Sequence, residues 1–322
     1  MAAALVGIAK LASESPVLEA KRRVQYFDLP TRRFIGRASG RKMPFEWTIN
    51  PYRGCEFGCK YCYARYTHEF MELRETEQFE QQIYAKQFHP ELFRAELRRV
   101  PRREGICIGS ATDPYQPAER RFHITQRILE VFARDHGRTL SVTTKSDLVA
   151  RDADLLRRIA EANTIHVFMT ITTADDRLAR ILEPYAPRPE LRLEAIRKLS
   201  SRGIGVVVLA CPLMPLINDS LRNLEAVAVR AVAAGAQYMY GNPLFLKPCA
   251  QKAFFPMLDQ HFPHLARKYR ERYRESAFLK GSYPDMIRRR IEDVRNRYGL
   301  TSRPAEYLPD VPVEPEQLRL WK

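Results

Sequence analysis

Residues 54–65 read GCEFGCKYCYAR, and three of the chain's six cysteines, Cys55, Cys59 and Cys62, lie within them. The spacing is C-x3-C-x2-C, and the remaining cysteines, Cys107, Cys211 and Cys249, are isolated. Thiolates are soft ligands for zinc, copper(I) or iron–sulfur clusters. A structural zinc site takes four protein ligands, commonly as two close pairs. Here the fourth would have to be His68, crowding all the ligands into one local loop. A [4Fe–4S] cluster held by three thiolates suits the triplet better and leaves one iron open to a small molecule. Gly54 and Gly58 let a short loop wrap closely around such a group.

Around this stretch, short apolar strands alternate with amphipathic helical segments, the pattern of βα units and a parallel sheet. Candidate strands are 47–52 (WTINPY), 105–110 (GICIGS), 139–144 (TLSVTT), 165–171 (IHVFMTI), 204–210 (IGVVVLA) and 236–241 (AQYMYG). Helical stripes run through HITQRILEVFARDHG (123–137), ELRLEAIRKLSSRG (190–203) and DSLRNLEAVAVRAVAAG (219–235), each ending at a glycine. Six such units predict an α/β fold built as a partial (β/α)6 TIM-like barrel, with a doubly wound open sheet as the alternative. FEQQIYAK (79–86) reads as an extra edge strand or a loop. Asn218 and Asp219 read as a helix cap.

The flanks differ from this middle. Residues 1–45 read as an irregular basic arm, 46–249 as the core barrel, and 250–322 as a basic, mainly helical extension. Residues 10–42 hold nine Lys/Arg against three acids, and residues 266–297 hold eleven against five. Formal charge is +15, which favours polyanionic partners, nucleic acid first. In the extension, Tyr269 and Tyr273 lie one helical turn apart between arginines; burial of that face is favoured over base stacking. A hydrophobic content of 45% excludes global disorder. The best apolar run, 206–217, is too short to span a bilayer and holds two prolines. A reducing cytoplasm is the expected setting, with no membrane partner.

C-x3-C-x-aromatic-C resembles the motif of the radical S-adenosylmethionine (SAM) superfamily. NPYRGCEFGCKYCYAR, GSATDPYQPAE (109–119), TTKS (143–146), ITTADD (171–176), LEPYAPRPELRLEAI (182–196) and CPLMPLIND (211–219) together resemble its branch related to spore photoproduct lyase, often labelled DNA repair photolyase. The resemblance implies a [4Fe–4S] cluster on Cys55, Cys59 and Cys62 whose open iron binds the amino and carboxylate groups of SAM. One electron, from a low-potential donor of flavodoxin or ferredoxin type, cleaves SAM to methionine and a 5′-deoxyadenosyl radical. That radical takes hydrogen from the substrate.

The resemblance places Tyr61 against the adenine and adds Tyr63 to the cofactor-binding candidates. Lys145 and Thr172 end the third and fourth candidate strands, the face where barrel sites form, and are assigned to SAM. Ser110, Thr112 and Asp113 end the second strand and are the candidates for the SAM amino group. The lyase carries a hydrogen-donor cysteine near the end of its second strand, where this chain has Ala111. Strand alternation carried back from Ser110 and Thr112 turns Cys107 away from the interior. Cys211, at the end of the fifth strand, is the substitute donor candidate, against the plainer reading of a small core residue. The expected function is a radical SAM enzyme acting on nucleic acid, with photoproduct lyase-like repair as one form. The alternatives are the same chemistry on a peptide or small molecule, and a non-catalytic metal-holding nucleic-acid-binding protein.

Overall fold

A computed structural model describes residues 5–20, 23–31, 33–38, 43–302 and 304. Eleven strands among these residues form two sheets: β1 (Val17–Ala20), β2 (Gln25–Leu29), β3 (Ile35–Arg37), β4 (Trp47–Ile49), β5 (Tyr52–Arg53), β6 (Gln82–Lys86), β7 (Ile106–Ile108), β8 (Thr139–Thr144), β9 (Thr164–Thr170), β10 (Gly205–Leu213) and β11 (Tyr238–Pro243).

The larger sheet has the order β11-β10-β9-β8-β7-β4-β3. From β4 to β11 every pairing is parallel, and only β3 runs antiparallel, at the edge. The six parallel strands follow one another in chain order without reversal. A doubly wound sheet has a switch point where the order reverses, so this is the partial barrel. The β-branched runs at 139–144 and 204–210 make the strands where the pattern predicts them.

One face of these strands, including Ile108, Val142, Val167 and Val208, packs against apolar stripes on the helices Ile124–Phe132, Ala153–Ala160, Pro189–Ser200 and Leu221–Ala233. Each fully buried Leu or Ile there contributes roughly 1.5–3 kcal/mol. The opposite face lines the barrel interior. Its first row, set by register, is Thr48, Cys107, Ser141, His166 and Gly205.

The irregular basic arm is corrected in part. The described residues of 1–45 include a helix, Gly7–Glu14, and three strands; residues 1–4, 21–22, 32 and 39–42 of the arm, and 303 and 305–322 of the extension, lie outside the described residues. β1, β2, β6 and β5 form the second sheet in that order, with β2 and β6 parallel. The 79–86 stretch therefore supplies an interior strand of the second sheet. Neither β2 nor β6 has an internal pattern that specifies it; each takes its ladder partner from far along the chain. β5 ends at Arg53, so this sheet delivers the chain directly into the cysteine loop.

At the other end, the helices Pro248–His261 and Pro263–Arg272 share an apolar cluster with that loop: Phe254, Leu258 and Leu265 pack in the same cluster as Cys55, Phe57 and Cys59. Tyr269 and Tyr273 are buried, as the sequence favoured. Their hydroxyls donate to the carbonyls of Pro215 and Leu244 at 2.8 and 2.9 Å.

Candidate functional site

The cysteine loop is held mainly through its backbone. Gly54 has φ +83°, and a Cβ there would lie 2.8 Å from the carbonyl oxygens of Phe79 and Gln82. Cys55 N–H donates to Phe79 O at 2.9 Å and Lys60 N–H to Leu182 O at 2.9 Å. Thr112 Oγ1 and Gln116 Nε2 both donate to Gly54 O, at 2.6 and 3.1 Å, and Gln116 Oε1 accepts from Glu56 N–H at 3.0 Å. Thr112 is thus a strut of the loop, its hydroxyl committed to the backbone rather than free to bind a ligand. Buried Arg65 bridges Glu80, at 2.7 Å, to Cys59 O, at 3.3 Å.

The three thiols are free, with Cys55 and Cys59 buried. Burial holds Cys55 well above the usual thiol range, pushes Cys59 up to about 12 and raises Cys62. A metal group reverses this, because a coordinating thiol is deprotonated outright. His68 does not complete a zinc set. Its Nε2 meets Gln82 O at 3.0 Å and its ring packs edge-on against Phe79 and Tyr84. Among the described residues, no three His, Cys, Asp or Glu side chains gather as a single-ion site requires. A thiol triplet with two members buried and one partly exposed, wrapped by glycine-bearing backbone, fits a cluster.

Beside the thiols lies a charged group that pattern reading did not pick out. Glu183 and Arg192 form a buried ion pair at 2.5 Å. Glu183 Oε1 accepts from the Tyr61 hydroxyl and from Thr172 Oγ1, the latter at 3.3 Å. Arg192 also donates to Thr170 O and Pro187 O, at 2.9 and 2.8 Å. Burial disfavours the Glu183 charge, yet Arg192 and Lys145 hold its carboxyl below the usual range. The available signal was position: Arg192 falls on the apolar stripe Leu193, Ile196, Leu199 of its helix, where an arginine needs a partner.

Lys145 lies in this group, with its Nζ 5.7 Å from the centre of the Tyr61 ring. Burial works against its charge, but Cys59, Glu183 and Asp113 outweigh it and hold the ammonium above its usual range. Asp113 accepts from Thr144 Oγ1, Lys145 N–H and Tyr115 N–H at 2.7, 2.7 and 2.9 Å. It therefore orients the Lys145 turn. Ser110 shares hydrogen bonds with Thr48 and Asn50 at the mouth of the barrel, and its carbonyl accepts from the Tyr63 hydroxyl.

Two cysteines face the interior. Register puts Cys211 two residues beyond Leu209, which pairs with Thr170, so Cys211 is level with Thr172 near the mouth. Burial pushes its thiol up to about 12, with the Asn242 N–H and Lys145 pulling the other way. Cys107 is the correction. It belongs to the first interior row and its Sγ meets Thr143 Oγ1 at 3.7 Å. Alternation from Ser110 fails because the chain turns at Gly109, φ +94°, where a Cβ would meet Pro114 at 2.5 Å. Asn218 and Asp219 are also not caps. Ser220 caps the next helix, Asn218 ties the 212–218 loop to Thr172 O at 3.0 Å, and Asp219 accepts from Tyr283 at 2.9 Å.

The Radical SAM superfamily model matches residues 49–225, a span that holds the cysteine loop, Asp113, Lys145, Thr172, Glu183, Arg192 and Cys211. The chain belongs to the radical SAM superfamily. An uncharacterized protein of Mycobacterium tuberculosis is 33% identical over 282 residues, 87% of this chain and 83% of its own length. An uncharacterized protein of Methanocaldococcus jannaschii is 30% identical over 218 residues, 68% of this chain and 77% of its own length. In fold, the radical SAM protein is similar to spore photoproduct lyase complexed with dinucleoside spore photoproduct: TM-score 0.63, 12% identity, covering 86% of this chain and 81% of that one. A variant of that lyase with bound AdoMet and dinucleoside spore photoproduct superposes with TM-score 0.61 and 12% identity, covering 85% of this chain and 81% of that one. The chain is a radical SAM enzyme whose cofactors are a [4Fe–4S] cluster and SAM.

Proposed function

We propose that this enzyme acts on a nucleic acid, taking an unstacked base at the barrel mouth, in a reducing cytoplasm where its thiols persist. The observation that carries this is an exposed aromatic ledge beside the site. Tyr63, whose hydroxyl donates to Ser110 O at the mouth, lies 6.2 Å from Phe245, which lies 4.5 Å from Phe278. Phe278 is 63% exposed. Lys247 Nζ sits between two rings, 4.0 Å from Tyr66 and 5.8 Å from Phe245. The backbone bond from Leu246 N–H to Ala277 O, at 2.9 Å, holds the two sides of the ledge together. Rings interleaved with cations are the platform on which single-stranded bases stack, and the +15 charge suits the phosphates.

When bound, the cluster and SAM supply one-electron chemistry that removes a hydrogen atom from the substrate. In this reading Cys55, Cys59 and Cys62 hold the irons. Lys145 sets a positive charge for the SAM carboxylate, and Glu183, fixed by Arg192, orients Tyr61 beneath it. Tyr63 and Ser110 close the side toward the ledge. Cys211 keeps its proton at neutral pH because burial disfavours the thiolate. It stands level with Thr172 and is the nearer-placed hydrogen donor; Cys107 lies deeper in the barrel.

The test is anaerobic. A labelled single-stranded oligonucleotide is titrated into reconstituted protein at several salt concentrations, and 5′-deoxyadenosine is then measured with and without it. Binding that weakens steeply with salt, is lost in Phe278→Ala/Lys247→Ala and stimulates 5′-deoxyadenosine formation supports the reading. No binding even at low salt sinks it and turns the search to peptides and small molecules.

A further inference from the structure

The reductant's point of entry can be sought where an exposed side chain packs directly on the cysteine loop. Helices Pro248–His261 and Pro263–Arg272 share an apolar cluster with the loop on one side. On another, a shallow depression of about 340 Å³ reaches Phe57, two residues before Cys59. Tyr185 forms its wall. The Tyr185 N–H donates to Phe57 O at 3.2 Å, and its ring presses on Gly58, where a Cβ would meet a ring carbon at 2.9 Å. Tyr185 is nevertheless 55% exposed. It is an apolar plate touching the loop on one side and solvent on the other.

The rim is mainly cationic. Arg120, Arg180 and Arg188 line it against a single acid, Asp147. All three arginines are exposed. They come from three separate segments: after β7, on the helix Asp176–Leu182, and at the start of the helix Pro189–Ser200. An apolar centre within a cationic rim suits a brief, steered encounter with an acidic protein, and electron-transfer encounters use small interfaces of this kind.

We propose that this depression is the docking face for a small acidic one-electron carrier protein. One electron leaves the carrier and enters the cluster held by Cys55, Cys59 and Cys62. No bond is made or broken, and the loop backbone at Phe57–Gly58 is the route. This rests on the cluster assignment and not on the nucleic-acid reading.

The experiment compares the reconstituted holoprotein with Arg180→Glu/Arg188→Glu and the milder Arg180→Gln/Arg188→Gln. Oxidised flavodoxin is titrated in by fluorescence at several ionic strengths. Cluster bleaching is timed with reduced flavodoxin and, separately, with dithionite. The expected result is that the glutamate variant loses about tenfold or more in flavodoxin affinity and flavodoxin-driven rate, the glutamine variant less. Dithionite-driven bleaching and oligonucleotide binding stay at the wild-type level. Four outcomes overturn the proposal: wild-type protein that neither binds flavodoxin nor is reduced by it, variants with the wild-type flavodoxin rate, an equal loss with dithionite in both variants, or a fall in oligonucleotide affinity instead.

Discussion

The two halves of the cofactor site are built on opposite principles. The cysteine half is local: three thiols lie within eight residues, and the loop backbone is held from outside by Phe79 O, Leu182 O and the Gln116 side-chain amide. The charged half is assembled from afar. Lys145, Thr172, Glu183 and Arg192 reach Tyr61 only because two parallel strands, β8 and β9, and the helices Asp176–Leu182 and Pro189–Ser200 bring them to the loop. Side chains rather than backbone hold this half. The first half should fail by losing its metal, and the second by losing stability or SAM affinity with the metal still present.

The largest break is at the thiols. The Cys55/Cys59/Cys62 triple alanine variant should lose essentially all cluster iron while keeping its far-ultraviolet spectrum, measured by iron and sulfide content. Near-complete retention of iron would remove the ligand assignment. Next is the buried pair. Arg192→Ala leaves the Glu183 charge buried without its partner and should cost about 3–5 kcal/mol in denaturant unfolding. Replacing both residues with apolar ones of similar volume should recover much of that stability but not SAM binding. If it recovers both, the pair is purely structural.

Lys145→Ala sharpens the contrast. A charge-assisted contact contributes about 1.5–3 kcal/mol, so SAM affinity should fall about ten- to a hundredfold at unchanged iron content. The smallest expected effect is at His68, whose pKa burial lowers to about 4 from an ordinary 6.5. The unfolded chain binds the extra proton between those values, so this contribution to stability is complete above about pH 6.5 and is lost as pH falls toward 4. The loss should reach about 1 kcal/mol by pH 6. His68→Phe should flatten that acid limb in urea melts at a series of pH values. An unchanged limb would show that other groups control it.

Legibility followed the same division. The strands at 139–144 and 204–210 and the thiol spacing carry their signals within a few residues, and each was readable from the chain. Alternation along β8, β9 and β10 puts Lys145, Thr172 and Cys211 on the interior side, the first two just past their strands and Cys211 within β10. It failed at Cys107, where Gly109 turns the chain. It also gave no account of Thr112 and Asp113, whose polar groups face the cysteine loop and the Lys145 turn rather than open space. Asn218 shows the limit of local rules: a cap-type residue before a helix became a tie to Thr172 O, just past β9, because Ser220 took the capping role.

By itself the sequence determined the α/β class, the six-strand parallel core and the C-x3-C-x2-C spacing that marks the family, since periodicity and spacing are properties of neighbouring residues. Only the tertiary structure decided that β2 and β6 pair, that Cys107 faces inward, that Glu183 and Arg192 stand beside the thiols, and that Tyr63, Phe245 and Phe278 form one ledge. Each of these depends on contacts between distant segments, whose partners are chosen by burial and hydrogen-bond satisfaction across the whole core.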